Sequence, residues 1–453
     1  MTETLGERLV THAKDTGLFP QAGRALLAVS GGPDSTALLD LMYHAAGQLD
    51  LDLEIAHIDH GILSGSAAVG RQVTALGNAY NVPVRVAALS LGSAASETLA
   101  REARYAELRR IQRETGARYL VTAHHLDDQV ETVLYRLLKG SGVAGLAGIL
   151  PVGSDGLVRP LLPFTRAELL DWLERSSTFV DTGFSPHADA ANRETRHDRV
   201  WVRQQVLPRL RERFGPELES NILEVARSAM ANRSAWSSLL KTLPELEFRL
   251  DSSGAEVARP ALQRYDKVLS VALLQALVRE AGHRLGRKRA ARVLDFVVRG
   301  SSGHYLELDQ GWKIEIVFDR VRCTRGDVVV GERPVSSWGE DLNGVTEWGD
   351  WKLDWRIDKA GEVKRRSFTT WVTPGTGMIR SLRIGDRMTP LGGVGSRQVR
   401  RLLMEAKISR RLRWVHPVVE RDGEIIWIPG VCRSATLVPE PGDEALRIDV
   451  YKI

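Results

Sequence analysis

Cysteine and long apolar runs are both scarce in this 453-residue chain. Its two cysteines, Cys323 and Cys432, are too few and too far apart for a disulfide framework, a Cys-x-x-Cys redox pair or a cysteine-ligated zinc site. The longest apolar stretches, residues 143–152 and 268–278, reach about half the ~20 residues that cross a bilayer. The N-terminal segment MTETLGERLV lacks the basic region and apolar core of a secretory signal peptide. We therefore expect a cytoplasmic protein that binds no membrane.

The excess of positive charge is small, since the chain has 62 basic and 57 acidic residues and a formal net charge of +5. The basic residues are nevertheless concentrated in two segments. Between Arg380 and Arg413 there are ten Arg or Lys against two acids, and between Arg193 and Arg213 there are seven Arg against three acids. Such clusters are typical of surfaces that bind a polyanion, and the alternative is a solvated basic face.

The first ~215 residues alternate between short apolar runs and helix-like segments, with apolar residues at three-to-four-residue spacing. This alternation predicts an α/β domain with a doubly wound parallel sheet over residues 1–215. The predicted strands are 24–29, 51–57, 82–89 and 119–123, and the predicted helices are 36–43, 67–80, 97–115 and 127–139.

The pattern changes after residue 215, and the length predicts about three domains in total. Residues 216–374 are predicted to form a mostly helical middle domain, with helices at 218–240 and 259–298 and short strands beyond Tyr305, among them 312–317, 320–323, 328–330 and 351–357. A linker is expected at 341–346. Residues 375–453 are predicted to form a small α+β domain with strands at 425–429 and 445–451.

The strongest motif is SGGPDS at residues 30–35, which we call the phosphate loop. It follows a predicted strand and opens a helix, so its backbone N–H groups converge at the positive end of the helix. Gly31 and Gly32 allow a phosphate to approach the backbone closely. The loop lacks the Lys-Ser/Thr ending of a Walker A motif, which argues against γ-phosphate transfer. It resembles the loop of the ATP-pyrophosphatase superfamily, and the predicted ATP-binding residues are Ser30, Gly31, Gly32, Pro33, Asp34 and Ser35.

Three further strings of polar residues accompany the loop. HIDHG at 57–61 closes the second predicted strand, at the sheet edge where ligands bind in open α/β folds. Arg101 and Arg104 share one face of the helix that begins at residue 97. The string TAHHLDDQVET at 122–132 places acids and histidines at a strand end and the next helical turn, with helix capping as the alternative explanation for the acid at position 131. Its candidate residues are His124, Asp127, Asp128 and Glu131.

Together these strings resemble the tRNA(Ile)-lysidine synthetase family. The resemblance continues in RPLL at 159–162 and in two groups of spaced residues, Asp189, Asn192, Arg199, Arg203, Leu207 and Pro208, then Gly385, Asp386, Arg387, Pro390, Leu391, Gly392, Lys407, Ile408, Arg413, Pro417, Trp427 and Gly430. Two features depart from the family pattern. Residues 182–188 (TGFSPHA) look inserted, and Val200 with Trp201 stands where an Asn usually follows the first Arg.

The resemblance implies a two-step reaction on an isoleucine tRNA with a CAU anticodon. ATP adenylates the oxygen at carbon 2 of the wobble cytidine, and the ε-amine of free L-lysine then displaces AMP. It further implies that Asp34 coordinates Mg²⁺ and that the Ser30 and Ser35 hydroxyls bind phosphate. Asp127 or Asp128 is the expected second Mg²⁺ ligand. A protonated amine does not attack, so a general base is expected among His124, Asp127 and Asp128. Candidate tRNA or lysine contacts are Arg101, Arg104, Glu131, Arg199, Arg203, Arg400 and Arg401.

Three other functions remain open from the sequence. A tRNA sulfur-transferase of the same superfamily needs thiols near its cleft, and both cysteines lie outside the first 215 residues. A small-molecule amidating ligase, such as an NAD or GMP synthetase, would leave the basic C-terminal segment without a purpose. A tRNA-binding protein with a degenerate ATP site would not need an intact phosphate loop.

Overall fold

The computed structural model describes residues 3–59, 66–89, 97–187, 198–251, 253–326 and 333–453. The chain divides into two compact units, residues 1–235 and 236–453. Within the described ranges, every helix is too short or too polar to cross a membrane.

The first unit is built on a five-stranded sheet in which every neighbouring pair of strands is parallel. The strands are β1 (Gly23–Ala28), β2 (Leu51–Asp59), β3 (Val84–Ala88), β4 (Tyr119–Val121) and β5 (Leu157–Val158). Their order is β3-β2-β1-β4-β5, so the chain moves outward from β1 to β3 and then returns to the other side of β1. This confirms the predicted doubly wound sheet, to which the structure adds β5.

Helices cover both faces of this sheet. On β1, Leu27 packs in one apolar core with α2 and α3, whereas its neighbour Leu26 packs in a second core with Leu108 and Ile111 of α4. A strand buried on both faces explains the continuous apolar run of the sequence. In chain order, the helices up to residue 242 are α1 (Leu5–Asp15), α2 (Pro33–Ala45), α3 (Ser66–Ala79), α4 (Glu97–Thr115), α5 (Leu126–Leu138), α6 (Val143–Leu146), α7 (Arg166–Arg175), α8 (Ser177–Val180), α9 (Asp198–Trp201), α10 (Leu207–Phe214) and α11 (Glu217–Thr242), with a π-helical turn at Val202–Val206.

The second unit begins with three helices and an antiparallel sheet in the order β6-β7-β10-β9-β8. The helices are mostly those predicted, but the chain between residues 259 and 298 breaks into three pieces. The elements are β6 (Arg249–Asp251), β7 (Gly254–Ala258), α12 (Arg259–Arg264), α13 (Lys267–Glu280), α14 (Arg287–Arg299), β8 (Tyr305–Glu307), β9 (Trp312–Val317) and β10 (Arg320–Arg325). The predicted strand at 328–330 lies outside the described residues.

The rest of the second unit contains two larger sheets, β11-β15-β18-β19-β20 and β12-β13-β21-β14, and the strand pair β16-β17. The prediction of a linker at 341–346 is wrong, because Asn343–Trp348 forms the strand β12, which pairs with β13. The elements are β11 (Ser336–Trp338), β12 (Asn343–Trp348), β13 (Trp351–Lys359), β14 (Thr369–Val372), β15 (Gly377–Arg380), β16 (Arg387–Met388), β17 (Arg397–Gln398), α15 (Val399–Glu405), α16 (Arg410–Arg413), β18 (Val418–Arg421), β19 (Glu424–Ile428), β20 (Cys432–Arg433) and β21 (Glu444–Lys452).

The division into three domains stays a prediction, and strand pairing favours a different second boundary. The strand β21 pairs with β13 and β14, and β11 pairs with β15, so both sheets join residues from either side of position 374. A boundary after β10 would leave these sheets intact, whereas a boundary at 374 would divide them.

Arg433 connects the two larger sheets. It is fully buried, and its guanidinium donates hydrogen bonds to Thr370 Oγ1 of β14 at 3.0 Å and to the Ile426 carbonyl of β19 at 2.7 Å. It also donates to the carbonyls of Thr436 at 2.8 Å and Leu437 at 3.0 Å. Burial lowers the pKa of Arg433 to about 10. Within the described residues, these neutral acceptors take the place of a carboxylate partner.

Candidate functional site

The two strongest motifs follow neighbouring strands of the parallel sheet. Residues 30–35 follow β1 and residues 122–132 follow β4, and β1 and β4 pair directly, with Leu27 opposite Val121. The strand order reverses at this pair, and open α/β sheets bind ligands at the carboxyl ends of strands at such a point. The topology therefore brings together motifs that lie about 90 residues apart in the sequence.

The phosphate loop is closed by its own two serines. The Ser30 N–H donates to Ser35 Oγ at 3.1 Å, and the Ser35 hydroxyl donates to the Gly32 carbonyl at 2.9 Å. Helix α2 begins at Pro33, whose fixed φ suits the first helical position, so the predicted start at residue 36 was three residues late. Gly31 has a φ of +86°, and a Cβ there would lie 2.9 Å from Val69 Cγ1 of α3, which requires glycine at this position.

His125, rather than the predicted His124, lies at the centre of a carboxylate cluster. Its Nε2 lies 3.8 Å from Asp34 Oδ2 and 3.5 Å from Asp128 Oδ2, and its Nδ1 lies 3.5 Å from Asp127 Oδ2. Burial lowers the pKa of His125, but the three carboxylates outweigh burial and raise it overall. The contact with His125 in turn lowers the pKa of Asp127 to about 2. The structure thus joins Asp34 of the phosphate loop to Asp127 and Asp128 of α5.

Arg166, which the sequence analysis missed, links the same two strands. Its Nε lies 3.0 Å from Asp34 Oδ1, and its backbone N–H donates to Asp127 Oδ2 at 2.8 Å. Arg166 opens α7 behind the cap residue Thr165. It lies far along the chain from both acids, so no local pattern in the sequence marked it.

The side chain of His124 has a different hydrogen-bond partner. Its Nδ1 lies 2.9 Å from the Thr122 hydroxyl. Burial lowers the pKa of His124 to about 3, Asp128 opposes that shift, and the cations of Arg159, Arg101 and Arg199 add to it. A neutral imidazole with so low a pKa is a weak proton acceptor, and the assignment of the general base stays a prediction.

A second cluster lies one turn further along α5. Glu131 is 5 % exposed, and its carboxylate lies 2.9 Å from Arg203 Nε and 3.5 Å from Arg199 Nε. Arg199 also donates to Asp128 Oδ1 at 3.2 Å. Burial raises the pKa of Glu131 more than the two arginines lower it. The structure therefore brings four of the candidate residues together, and Asp128, not Glu131, caps α5 through a 3.1 Å bond from the His125 N–H.

The other candidate cations have different surroundings. On α4, the guanidinium carbons of Arg101 and Arg104 lie 5.2 and 5.7 Å from the centre of the Tyr105 ring. Arg400 and Arg401 are exposed on α15, and Arg401 Nε lies 3.6 Å from Glu405 Oε1.

The C-terminal basic cluster is less available than its composition predicted. Arg380 is 4 % exposed and is bound by Asp386 at 2.8 Å and Glu420 at 2.5 Å. Arg397 pairs with Glu405 at 2.5 Å. Several predicted residues lie outside the described residues or side chains: His60, Asp189, Asn192, Arg193, Arg196, Arg410 and Arg411.

The donor set suits Mg²⁺ bound together with a nucleotide. Mg²⁺ in nucleotide sites takes one or two carboxylates and completes its shell with phosphate oxygens and water. Asp34 and Asp127 each use one oxygen on Arg166, so Asp127 Oδ1 and Asp34 Oδ2, which lies 3.8 Å from His125 Nε2, are the atoms that would bind Mg²⁺. Among the described residues, no three His, Cys, Asp or Glu form a metal site by themselves.

Comparison with known proteins identifies the family of the chain. A family model described as a PP-loop domain matches residues 1–210, and one described as the TilS substrate C-terminal domain matches residues 378–450. The tRNA(Ile)-lysidine synthase of Symbiobacterium thermophilum is 30 % identical over 487 residues, which cover 100 % of this chain and 98 % of that protein. The chain belongs to the tRNA(Ile)-lysidine synthase family.

Other members of the lysidine synthase family match over nearly the same length. The protein of Geobacter sulfurreducens is 28 % identical over 460 residues, covering 95 % of this chain and 94 % of its own. A crystal structure of a TilS C-terminal domain covers 26 % of this chain and 98 % of that chain, at 22 % identity and a TM-score of 0.23. Membership of the lysidine synthase family confirms the resemblance that the motifs indicated and the prediction that the chain is an enzyme of this kind.

Proposed function

We propose that this chain joins L-lysine to carbon 2 of the wobble cytidine in the isoleucine tRNA with a CAU anticodon, in an ATP-dependent reaction. The cytidine O2 attacks the α-phosphate of ATP, pyrophosphate leaves, and the tRNA is adenylated. The lysine ε-amine then attacks carbon 2, loses a proton, and AMP leaves with the former O2. The arrangement of the phosphate loop and the His125 cluster on β1 and β4 is the observation that carries this proposal.

The first step requires the triphosphate to be held with its α-phosphorus accessible. The open N–H groups at the start of α2 suit the β- and γ-phosphates that leave together. Asp34 and Asp127 are the residues that would hold Mg²⁺, which when bound draws charge from the phosphate oxygens. Arg166 and His125 keep the two carboxylates in place. The Ser30 and Ser35 hydroxyls already meet at 3.1 Å, close enough to share one phosphate oxygen.

The second step requires a site for a cationic amino acid. The carboxylates of Asp128 and Glu131 lie one helical turn apart and are the groups suited to an ammonium. Arg199 and Arg203 occupy both carboxylates, so we infer that lysine binding exchanges one cation for another. The displaced arginine can then pair with a carboxylate or a phosphate of the substrate.

The proposal also accounts for the basic residues of the second unit. Arg400 and Arg401 are exposed on α15, as phosphate contacts require. An amidating ligase for small molecules would not need them. A sulfur-transferase is disfavoured because residues 1–235 contain no cysteine, and Cys323 and Cys432 are both buried.

One reaction tests the proposal. Purified protein is incubated with ATP, radiolabelled lysine and either of the two tRNAs with a CAU anticodon, and label is expected only in the isoleucine tRNA. Asp34→Ala should abolish AMP formation while tRNA affinity stays near that of the wild type. Asp52→Ala is the matched control, because Asp52 is an exposed acid at the N-terminal end of β2, at the sheet edge opposite the phosphate loop. Absence of AMP formation with a tRNA that binds would favour a tRNA-binding protein instead, and label in both tRNAs would refute the proposed specificity.

A further inference from the structure

The segment that departs from the family pattern lies against the phosphate loop. Residues 182–187 follow α8, and the Phe184 N–H donates to Thr182 Oγ1 at 3.1 Å in a local turn. The ring of Phe184 lies 6.5 Å from that of Phe179 and 6.4 Å from that of His187. The segment therefore has its own turn and a small aromatic contact that direct its end toward the loop.

His187 makes the contact with the loop itself. Its backbone N–H donates to the Gly31 carbonyl at 3.0 Å, and its Nε2 meets Gln72 Oε1 on α3. A Cβ on Gly32 would lie 3.7 Å from the His187 carbonyl, so the two backbones run side by side. One residue of the added segment thus connects the loop to a neighbouring helix.

The orientation of one peptide group follows from this contact. The peptide between Gly31 and Gly32 is trans, and in a planar trans peptide the C=O and the next N–H point in opposite directions. With the Gly31 carbonyl held toward His187, the Gly32 N–H is directed to the other side, where its nearest acceptor is Ser30 Oγ at 3.4 Å. That bond is long, so a charged phosphate oxygen would be the stronger acceptor.

Glycine makes this orientation costly to maintain without help. Gly31 has a φ of +86°, and two consecutive glycines offer the least resistance to a peptide flip. A flip would turn the Gly31 carbonyl toward the anion and remove one donor. The hydrogen bond from the His187 N–H to the Gly31 carbonyl therefore opposes this flip.

We propose that His187 is a positioning residue for nucleotide binding, acting through its backbone N–H on the Gly31–Gly32 peptide. The proposal rests on the phosphate loop being the site of ATP. The residues that look inserted then have a role of their own, which is to hold the loop in its donating conformation before the nucleotide arrives.

Proline at position 187 removes the N–H and keeps the chain length. For His187→Pro we expect the dissociation constants of ATP and of inorganic pyrophosphate, and the KM for ATP, to rise about three- to tenfold, the range for one lost hydrogen bond. The KM for lysine and the affinity for tRNA should not change. His187→Ala keeps the N–H and loses only the ring, so its effect on ATP should be smaller. Ser185→Pro is the matched proline control, at an exposed position whose N–H donates to no atom of the described residues.

Equal ATP affinity in the wild type and His187→Pro would overturn the proposal, as would an equal loss in His187→Ala and His187→Pro. Amide hydrogen exchange on the wild-type protein gives a second measurement that needs no variant. The His187 amide should be protected without nucleotide, and exchange at the rate of an open chain would also overturn the proposal. A wild-type protein that binds neither ATP nor pyrophosphate would instead refute the proposed function.

Discussion

Arg166 Nε lies 3.0 Å from Asp34 Oδ1, and this contact joins the first helical turn after β1 to the first turn of α7. The same residue donates its backbone N–H to Asp127. One residue therefore holds two acids that would otherwise repel each other: its side chain binds Asp34, and its backbone N–H binds Asp127. Removal of the side chain separates these two functions, because the backbone contact remains.

We expect Arg166→Ala to raise the KM for ATP about tenfold, because Asp34 loses a charge-assisted hydrogen bond that is partly open to solvent. The affinity for tRNA should stay within about twofold. Steady-state kinetics at several Mg²⁺ concentrations provide the measurement. Arg175→Ala, on the same helix and paired with the exposed Asp171, is the control. An unchanged KM would show that Arg166 does not organise Asp34.

The two cysteines should be dispensable for the reaction. Burial raises the pKa of Cys323 to about 12 and also raises that of Cys432, so both thiols stay protonated and unreactive at neutral pH. We expect Cys323→Ser combined with Cys432→Ser to keep lysine incorporation within a few-fold of wild type. The melting temperature should fall, since each hydroxyl is buried among apolar side chains at about 1–3 kcal/mol. Loss of activity in a folded double variant would revive sulfur transfer as an alternative.

Truncation of the C-terminal region should depend on where the chain is cut. A chain ending at residue 374 loses β21, which is the central partner of β13 and β14, so we expect it to aggregate. A chain ending at Gly326 keeps the sheet β6-β7-β10-β9-β8 and its core, and we expect it to stay soluble. In this shorter chain, tRNA affinity should be weaker and less dependent on salt, because exposed cations such as Arg400 are removed. Titration of tRNA at several salt concentrations measures this, and an unchanged slope would mean that the cluster is only a solvated face.

We expect the buried His416 to lower the free energy of unfolding in mild acid. Its Nε2 donates to the Pro429 carbonyl at 2.9 Å, and burial lowers its pKa to about 4, with Lys452 adding to the shift. Between about pH 6.5 and pH 4 the unfolded state binds the proton that the folded state refuses, so stability decreases as the pH falls through this window. The effect amounts to at most about 3 kcal/mol. Thermal unfolding of His416→Gln between pH 4 and pH 8 should show a shallower decrease than the wild type, and parallel curves would contradict the assignment.

The sequence predicted the parts of the fold that depend on near neighbours in the chain. The phosphate loop and the parallel strands each carry their signal within about ten residues, as apolar runs and glycines. The prediction of a linker at 341–346 was wrong because strand formation there depends on a partner that is not a local sequence feature. These residues read as polar and glycine-containing, yet β12 is completed by pairing with β13, which local composition does not register.

The sequence indicated which residue types lie near the candidate site, but not which side chains contact one another there. His124 and His125 are adjacent after β4, and the sequence does not show which of the two lies among the carboxylates of Asp34, Asp127 and Asp128. Arg166 lies 132 residues from Asp34, and that distance leaves no periodic trace. Arg380 looked like a surface cation by composition, and it is buried because Asp386 and Glu420 satisfy it.

Arg433 has a consequence for how the second unit unfolds. A partly folded chain that lacks the sheet β12-β13-β21-β14 would leave the Arg433 guanidinium without the Thr370 hydroxyl and the Trp371 carbonyl as acceptors. Such an intermediate is strongly disfavoured, because an unsatisfied buried charge costs several kcal/mol. The two sheets therefore gain or lose structure in a single cooperative transition, and a protease that attacks one of them will find the other open at the same moment.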